Sequence, residues 1–204
     1  MGLDLRFQSM PDACRLLARS RHEPDFGANL EFFKSYALTS QEELDHRAND
    51  QLFIEFVHEV RQAIDHYPGI EHRNLYLGRS WDMLYYLLSE GRRKGEPKDW
   101  THWVEKAIFG GEILNEATQT TIGFPIRYLS PVEVCHVQDK LETVTLEMLR
   151  SHWNPQAMRE AEIYKIHVEE NEDCCKWVQE DFEKLRAFYA LSAGHGEGVL
   201  AFVG

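Results

Sequence analysis

The arrangement of apolar and polar residues predicts more helices than strands. The best helix is predicted over Ala48 to Tyr67, where apolar residues recur every three or four positions and Pro68-Gly69 ends the run. The opposite side of this helix is predicted to face water, and it carries Glu55, His58, Glu59, Gln62 and His66. Further helices are predicted from Pro11 to Ala18, near 30 to 38, from Trp81 to Leu88, from Thr101 to Ile108 and from about Asp173 to Ala193.

Strands are predicted where apolar and polar residues alternate or where a short apolar run stands between turns. These segments are Leu3 to Met10, Asn74 to Leu77, Phe124 to Leu129, Ile163 to Val168 and Val199 to Val203. Residues 22 to 30 hold Pro24 and Gly27 and are predicted to be a loop. Because the strands are few and widely separated, we expect an α+β fold: one helix-rich domain over residues 1–204 with a small sheet, mixed or antiparallel.

Several helix starts carry local capping signals. The strongest is Ser130-Pro131-Val132-Glu133, which combines a capping serine, a proline at the first helical position and a glutamate at the third. Glu43 follows Ser40 at the same spacing, and Ser80, Thr101 and Thr145 are also predicted caps. The glycines between Gly194 and Gly198 follow a helix, whereas a phosphate loop precedes one, so they predict a connecting turn.

Composition excludes some classes of protein. With 43% apolar and 12% aromatic residues among 204, the chain can build a core and does not have the composition of a disordered segment. The net charge of −12 argues against broad nucleic-acid binding, and it would instead attract a basic protein partner. The cluster Arg92-Arg93-Lys94 is predicted to be a solvated loop within a linker-like stretch, Gly91 to Asp99.

Cysteine usage and hydropathy predict a cytoplasmic protein that does not span a membrane. No apolar run approaches the length that a membrane helix needs. Cys14, Cys135, Cys174 and Cys175 lack zinc or redox spacing and are expected to be reduced, with Cys135 in or at the boundary of the core.

A metal site is the weaker interpretation of three Glu-x-x-His pairs, Glu43/His46, Glu55/His58 and Glu133/His136. Carboxylate-bridged metal bundles use this spacing because the two side chains leave one helix face. Capping explains Glu43 and Glu133, and a solvated helix face explains Glu55 and His58. We therefore expect no metal and no cofactor, with Glu55 and His58 as the alternative metal ligands.

Several segments together resemble a bacterial family. They are Leu77 to Leu88, Ala107 to Leu114, Ile122 to Val134 and Phe182 to Val203, which keep their order along the chain. The groups Trp81-Asp82, Gly110-Gly111-Glu112 and Arg127-Tyr128-Leu129-Ser130-Pro131 carry most of the specificity. The chain is thereby similar to the YfbM-like family, domain-of-unknown-function family 1877. The resemblance implies a compact α+β bacterial protein without an established activity, and it supplies no catalytic residues.

Trp81, Asp82, Arg127 and Tyr128 are the candidate ligand-binding residues, because charge and family motif coincide there. Asp82 lies in the first turn of a predicted helix, and Arg127 near the end of a predicted strand could hold a carboxylate or phosphate bidentately. The alternative interpretation is an Asp82–Arg127 ion pair with Trp81 and Tyr128 packed in the core.

Two functions follow from these observations. The leading hypothesis is a non-catalytic binding or protein-interaction module, with a toxin-neutralising or accessory role as one form and a protein, a small molecule or a second copy of the chain as partner. The alternative is an enzyme that binds a small anion or nucleotide through Arg127 and Asp82, with His102 as a further polar partner.

Overall fold

The structure is a computed structural model that describes residues 3–91, 101–121, 123–164 and 172–204. Its strands are β1 (Leu5–Met10), β2 (Asn74–Gly78), β3 (Glu112–Ile113), β4 (Arg127–Leu129) and β5 (Gly198–Val203). Its first helices are α1 (Arg15–Ser20), α2 (Pro24–Ala28), α3 (Phe33–Ala37), α4 (Gln41–His46), α5 (Gln51–His66) and α6 (Trp81–Leu88). The others are α7 (Trp103–Phe109), α8 (Pro131–Thr143), α9 (Leu146–Ser151), α10 (Pro155–Glu160) and α11 (Glu172–Gly194), and 3-10 turns lie at Asn29–Phe32 and Ile70–His72.

The strands form one antiparallel sheet in the order β2-β1-β5-β4-β3. Its centre is made by the two strands that are most distant in sequence, since Leu5 pairs with Val203 and Met10 with Gly198. Strands β2 and β3 are the edges. The prediction of a helix-rich α+β fold with a small sheet is confirmed, and the sheet is antiparallel.

Helices cover both faces of the sheet. On one face, Leu5, Phe7 and Leu129 share a core with residues of α6 to α11, which we call the C-terminal layer. On the other face, Met10 and Tyr128 share a core with residues of α1, α2, α3 and α5, the N-terminal layer. Successive residues of a strand point to opposite faces, so each strand contributes to both cores.

The predicted caps are mostly confirmed. Ser130 and Glu133 form the full capping box at the start of α8, and Ser40 and Thr145 accept hydrogen bonds from the third residue of α4 and α9. Two predictions are wrong. The Ser80 hydroxyl donates backward to the Leu77 carbonyl, and the residue that caps α7 is not Thr101 but His102, whose ring nitrogen accepts from the Val104 amide.

Element boundaries were predicted less well in the first third of the chain and around β4. Helix α1 begins only after Cys14, so Pro11 lies outside it. The loop predicted for residues 22 to 30 contains α2, in which Pro24 occupies the first turn, where its missing N–H needs no partner. Strand β4 begins at Arg127, three residues later than predicted, and pairs with β3, a two-residue strand too short for a periodicity signal.

Two predicted environments are wrong. Glu59 was assigned to the solvated face of α5 but is buried, because it packs toward α1 and pairs with Arg15 and Arg19. Cys135 was expected in the core or at its boundary but is exposed on α8. The predicted loop at Arg92-Arg93-Lys94 lies outside the described residues, as does most of the predicted strand from Ile163 to Val168.

No helix within the described ranges combines the length and the apolar character that a membrane crossing requires.

Candidate functional site

Trp81 and Asp82 lie at the start of α6, as predicted. The Trp81 indole donates to the Leu3 carbonyl at 3.0 Å and packs edge-on against Phe109. Asp82 is buried, and its carboxylate accepts from the Tyr164 amide at 2.8 Å. Both side chains therefore join α6 to neighbouring segments.

Arg127 and Tyr128 lie on opposite faces of β4. Arg127 donates to the Gly111 carbonyl at 2.7 Å, and burial lowers the pKa of its guanidinium although Glu116 acts in the opposite direction. The turn after α7 lies against it, because a Cβ on Gly110, whose φ is +85°, would stand 2.9 Å from the Arg127 Cβ. Tyr128 is fully buried in the other core, where its hydroxyl lies 3.3 Å from the Met10 carbonyl, and burial raises its pKa.

The sheet therefore separates Tyr128 from the other three predicted site residues. Asp82 and Arg127 both lie on the side of the C-terminal layer. Asp82 accepts from the Tyr164 amide, whereas Arg127 donates to the Gly111 carbonyl. His102, the further candidate, caps α7 and lies 3.2 Å from the buried Glu105 carboxylate. Neither of the two clefts described below is lined by these residues. Ligand binding by the predicted four residues stays a prediction.

Glu55 and His58, the alternative metal ligands, bond to different partners. Glu55 accepts from Gln51 and from Arg19, which together lower the pKa of its carboxyl, and His58 lies 2.8 Å from the Gln62 amide nitrogen. Across the part of the chain that the structure describes, no three histidine, cysteine, aspartate or glutamate side chains are grouped in a manner that would hold a metal ion.

A cleft opens on the face of the N-terminal layer, where the helices leave β2 partly uncovered. Its volume is about 260 Å³, and we call it the β2 cleft. The register places Arg6 opposite Tyr76 and Gln8 opposite Asn74, so these four side chains share the sheet face that forms one wall. The turn before α3 and α3 itself form the other wall. The residues that line the cleft are Arg6, Phe7, Gln8, Leu30, Glu31, Phe32, Phe33, Lys34, Ser35, Asn74, Leu75, Tyr76 and Phe202.

Hydrogen-bond donors and exposed rings coincide in the β2 cleft. The Arg6 guanidinium donates to Glu31 at 2.8 Å, while its Nε is buried and has no hydrogen-bond partner among the described residues. Lys34 is exposed, and within the described ranges it contacts the Asn74 side-chain oxygen at 3.5 Å. Phe32 is 40% exposed and Tyr76 57% exposed. The cleft combines two cations with apolar and aromatic surface.

Glu31, the acidic residue in the lining of the β2 cleft, already has partners, and Asp4 beside the cleft accepts a hydrogen bond on one of its two carboxylate oxygens. Glu31 bonds to Arg6 with one oxygen and accepts from both the amide and the hydroxyl of Thr121 with the other. Asp4 accepts from the Tyr76 hydroxyl at 2.8 Å, which raises the pKa of that phenol, and lies 3.6 Å from Arg79. The Lys34 charge is therefore the one that a bound anion would neutralise.

A second cleft, of about 310 Å³, lies between α1 and the end of α5. Cys14 and Glu59 line it together with His66 and Tyr67. Glu59 is neutralised by Arg15 and Arg19, and burial raises the pKa of the Cys14 thiol. A protonated thiol is a poor nucleophile, so this cleft does not present an activated cysteine.

A buried ion pair between Arg73 and Glu197 was not predicted from the sequence. The guanidinium donates through Nε and an Nη to both carboxylate oxygens, at 2.8 and 2.7 Å, and the Ser9 hydroxyl donates to the same carboxylate. Glu197 lies among the glycines between Gly194 and Gly198. The turn predicted there is correct for the backbone, but the prediction did not indicate the role of the Glu197 side chain. Only the fold brings the two residues together, since they are far apart in sequence.

Fold and clefts define a helix-rich α+β protein with one antiparallel sheet between two helical layers and a partly basic cleft at the sheet edge. The chain belongs to a family described as a domain of unknown function, DUF1877, which it matches over residues 32–202. The family resemblance of the sequence motifs is thereby confirmed.

The fold is similar to that of YfbM from Escherichia coli, a crystal structure described as a protein of unknown function. The TM-score is 0.55 at 16% sequence identity, over 98% of this chain and 99% of that one. No match was found among curated proteins. At this identity the similarity concerns the fold alone.

Proposed function

We propose that this protein is a non-catalytic binding protein that takes an anionic group of its ligand in the β2 cleft. The observation that carries the proposal is the pair of under-used donors there. The Arg6 side chain is 35% exposed and its guanidinium donates to Glu31, and among the described residues Lys34 has one long contact, of 3.5 Å, to Asn74. A charge-assisted hydrogen bond from either cation to a bound anion is stronger than a neutral one, so an anion in the cleft gains binding energy.

The surface around these donors favours a ligand with an apolar or planar body. Phe32 and Tyr76 are exposed in the cleft, and Leu30, Phe33 and Phe202 add buried apolar side chains to its lining. Aromatic side chains bury a large area on binding and are common where affinity is concentrated. A carboxylate or phosphate attached to an aromatic or aliphatic group fits this combination.

The lining favours binding over catalysis. Its described residues supply donors and rings, but they do not pair a nucleophile with a base, and the carboxylate present, Glu31, is held by Arg6 and Thr121. An accessory or toxin-neutralising role would use the same cleft for a side chain of a protein partner.

Calorimetric titration with phenyl phosphate tests the proposal, with neutral benzyl alcohol as the matched probe. We expect binding of the anion and weakening by about fivefold to tenfold in Lys34→Gln, equivalent to about 1–1.4 kcal/mol. Lys140→Gln, which removes an exposed lysine from α8 on the other side of the sheet, should change nothing. Circular dichroism confirms that each variant is folded.

The same titration separates this cleft from the alternative site at Arg127 and Asp82. If phenyl phosphate binding is lost in Arg127→Gln but kept in Lys34→Gln, the alternative is correct and the β2 cleft is not the site. If no anion binding is detectable at millimolar concentrations, the proposed function is wrong.

A further inference from the structure

Among the residues that the structure describes, no strand pairs with the outer edge of β2, so one row of its backbone hydrogen-bonding groups is left available. In an antiparallel pair, residues alternate between those that bond to the partner strand and those that bond away from it. The Ser9 amide donates to the Arg73 carbonyl at 2.9 Å, which sets this alternation. Arg73 and Leu75 therefore face β1, whereas the amide and carbonyl groups of Asn74 and Tyr76 point off the sheet edge.

Within the described ranges of the chain, this edge carries none of the devices that usually protect edge strands. Natural proteins shorten them, cover them, or place proline or charged residues in them. The other edge strand, β3, is only two residues long, but β2 has five, and its sequence, Asn-Leu-Tyr-Leu-Gly, contains neither charge nor proline. Its side chains are half-buried or exposed, apart from Leu77.

The open edge and the β2 cleft share residues. Asn74 and Tyr76 present backbone groups outward, and their side chains lie on the sheet face that lines the cleft. In a strand added beside β2, every second side chain would lie on that same face. One of them could extend over Tyr76 toward Lys34 and Arg6.

We propose that β2 accepts an extended segment of a partner protein as an additional strand, with an Asp or Glu side chain of that segment held in the β2 cleft by Lys34 and Arg6. The inference rests on the proposed function and names its ligand as an acidic residue within a polypeptide. Strand addition obtains affinity from main-chain hydrogen bonds and specificity from alternate side chains. The Lys34 charge selects an acidic side chain, because Arg6 already pairs with Glu31 and contributes its exposed N–H groups as further donors.

Fluorescence anisotropy with capped heptapeptides tests this on the full chain. The probe peptide alternates threonine and valine and carries one glutamate at its centre, and the matched peptide carries glutamine there. We expect the glutamate peptide to bind about fivefold or more tightly, because a charge-assisted hydrogen bond replaces a neutral one. The preference should disappear in Lys34→Gln and persist in Lys140→Gln.

Two N-methylated peptides test the strand geometry without altering the protein. Both keep the glutamate and carry N-methyl groups on alternate backbone amides, and each blocks a different edge of the peptide strand. We expect one version to bind at least about tenfold more weakly than the other, because only one edge pairs with β2.

The outcomes separate this inference from the proposed function. If phenyl phosphate binds through Lys34 but the peptides bind without sensitivity to N-methylation, strand addition is wrong and the anion cleft remains. Equal binding of the glutamate and glutamine peptides overturns the carboxylate assignment. If neither phenyl phosphate nor any peptide binds, both proposals are wrong.

Discussion

Two arginine–glutamate pairs connect distant parts of this fold, and they differ in how completely each is closed. Arg73 and Glu197 are 8% and 4% exposed, and the guanidinium meets both carboxylate oxygens. In the other pair, Glu31 is equally buried at 3%, but Arg6 is 35% exposed and makes a single bond to it. Arg73 contacts both oxygens of its carboxylate, whereas Arg6 keeps a buried N–H that has no partner in the part of the chain that the structure describes.

The difference separates a structural pair from a candidate site. The Arg73–Glu197 pair joins the segment before β2 to the residue before β5 and also binds Ser9 on β1, so it fixes three neighbouring strands. A buried pair of this kind is disrupted badly when one partner is removed. The Arg6–Glu31 pair holds the N-terminal layer near the sheet edge and leaves donor capacity for another molecule.

Removal of one member of the closed pair should have the largest effect. Arg73→Met leaves Glu197 buried without its cation, and we expect a loss of about 3–5 kcal/mol in the free energy of unfolding. Urea denaturation followed by circular dichroism measures it.

The double variant Arg73→Met, Glu197→Leu is the control, because replacing both charges with apolar groups removes the uncompensated charge and should recover much of the loss. A single-variant loss below about 1 kcal/mol would show that the pair is not as closed as its geometry indicates.

Glu31→Gln should have an intermediate effect. The carboxylate accepts from Arg6 and from two groups of Thr121, and hydrogen bonds to a charged acceptor are stronger than neutral ones. We expect a loss of about 1–2 kcal/mol, smaller than for Arg73→Met because Arg6 is partly solvated. The same variant should bind phenyl phosphate more tightly, since it frees the Arg6 charge, and unchanged or weaker binding would contradict that account.

A third and more exposed pair, Lys106–Glu133, should show the smallest effect and a dependence on pH. Burial alone would raise the pKa of the Glu133 carboxyl, but hydrogen bonds from Lys106 and Ser130 outweigh it and hold the pKa below its ordinary value of 4.5. Since the folded-state pKa is the lower one, the carboxylate stabilises the fold above the unfolded pKa. That stabilisation is lost as the pH falls through the folded value.

The measurement for this pair is the stability of Glu133→Gln relative to the unmodified protein. The difference should be well under about 1 kcal/mol near neutral pH and should shrink as the pH falls below 4.5, the ordinary pKa of the carboxyl group, and through its lower folded-state pKa. Glutamine at position 133 keeps part of the capping geometry. A stability difference that grows on acidification would show that a carboxylate other than Glu133 dominates its pH dependence.

The elements were more predictable from sequence than the candidate site. Local signals suffice for α5, α8 and α11, because periodicity and the Ser130 cap depend only on neighbouring residues. The β2 cleft depends on Arg6, Lys34 and Tyr76, which are brought together by strand pairing and helix docking. One signal was available, namely that the charged residue Arg6 lies on the same face of β1 as the apolar Met10. The environment of this face could not be assigned before the covering helices were known.

The pairing of β1 with β5 has a consequence for how the chain reaches its folded state. A ribosome releases the residues of β1 long before those of β5, yet these two strands lie side by side at the middle of the sheet. Contacts between such distant segments close slowly, because a long intervening chain must be ordered first. We therefore expect the nascent polypeptide to hold isolated helices but no stable sheet until β5 has been synthesised, and to depend on chaperones during that interval.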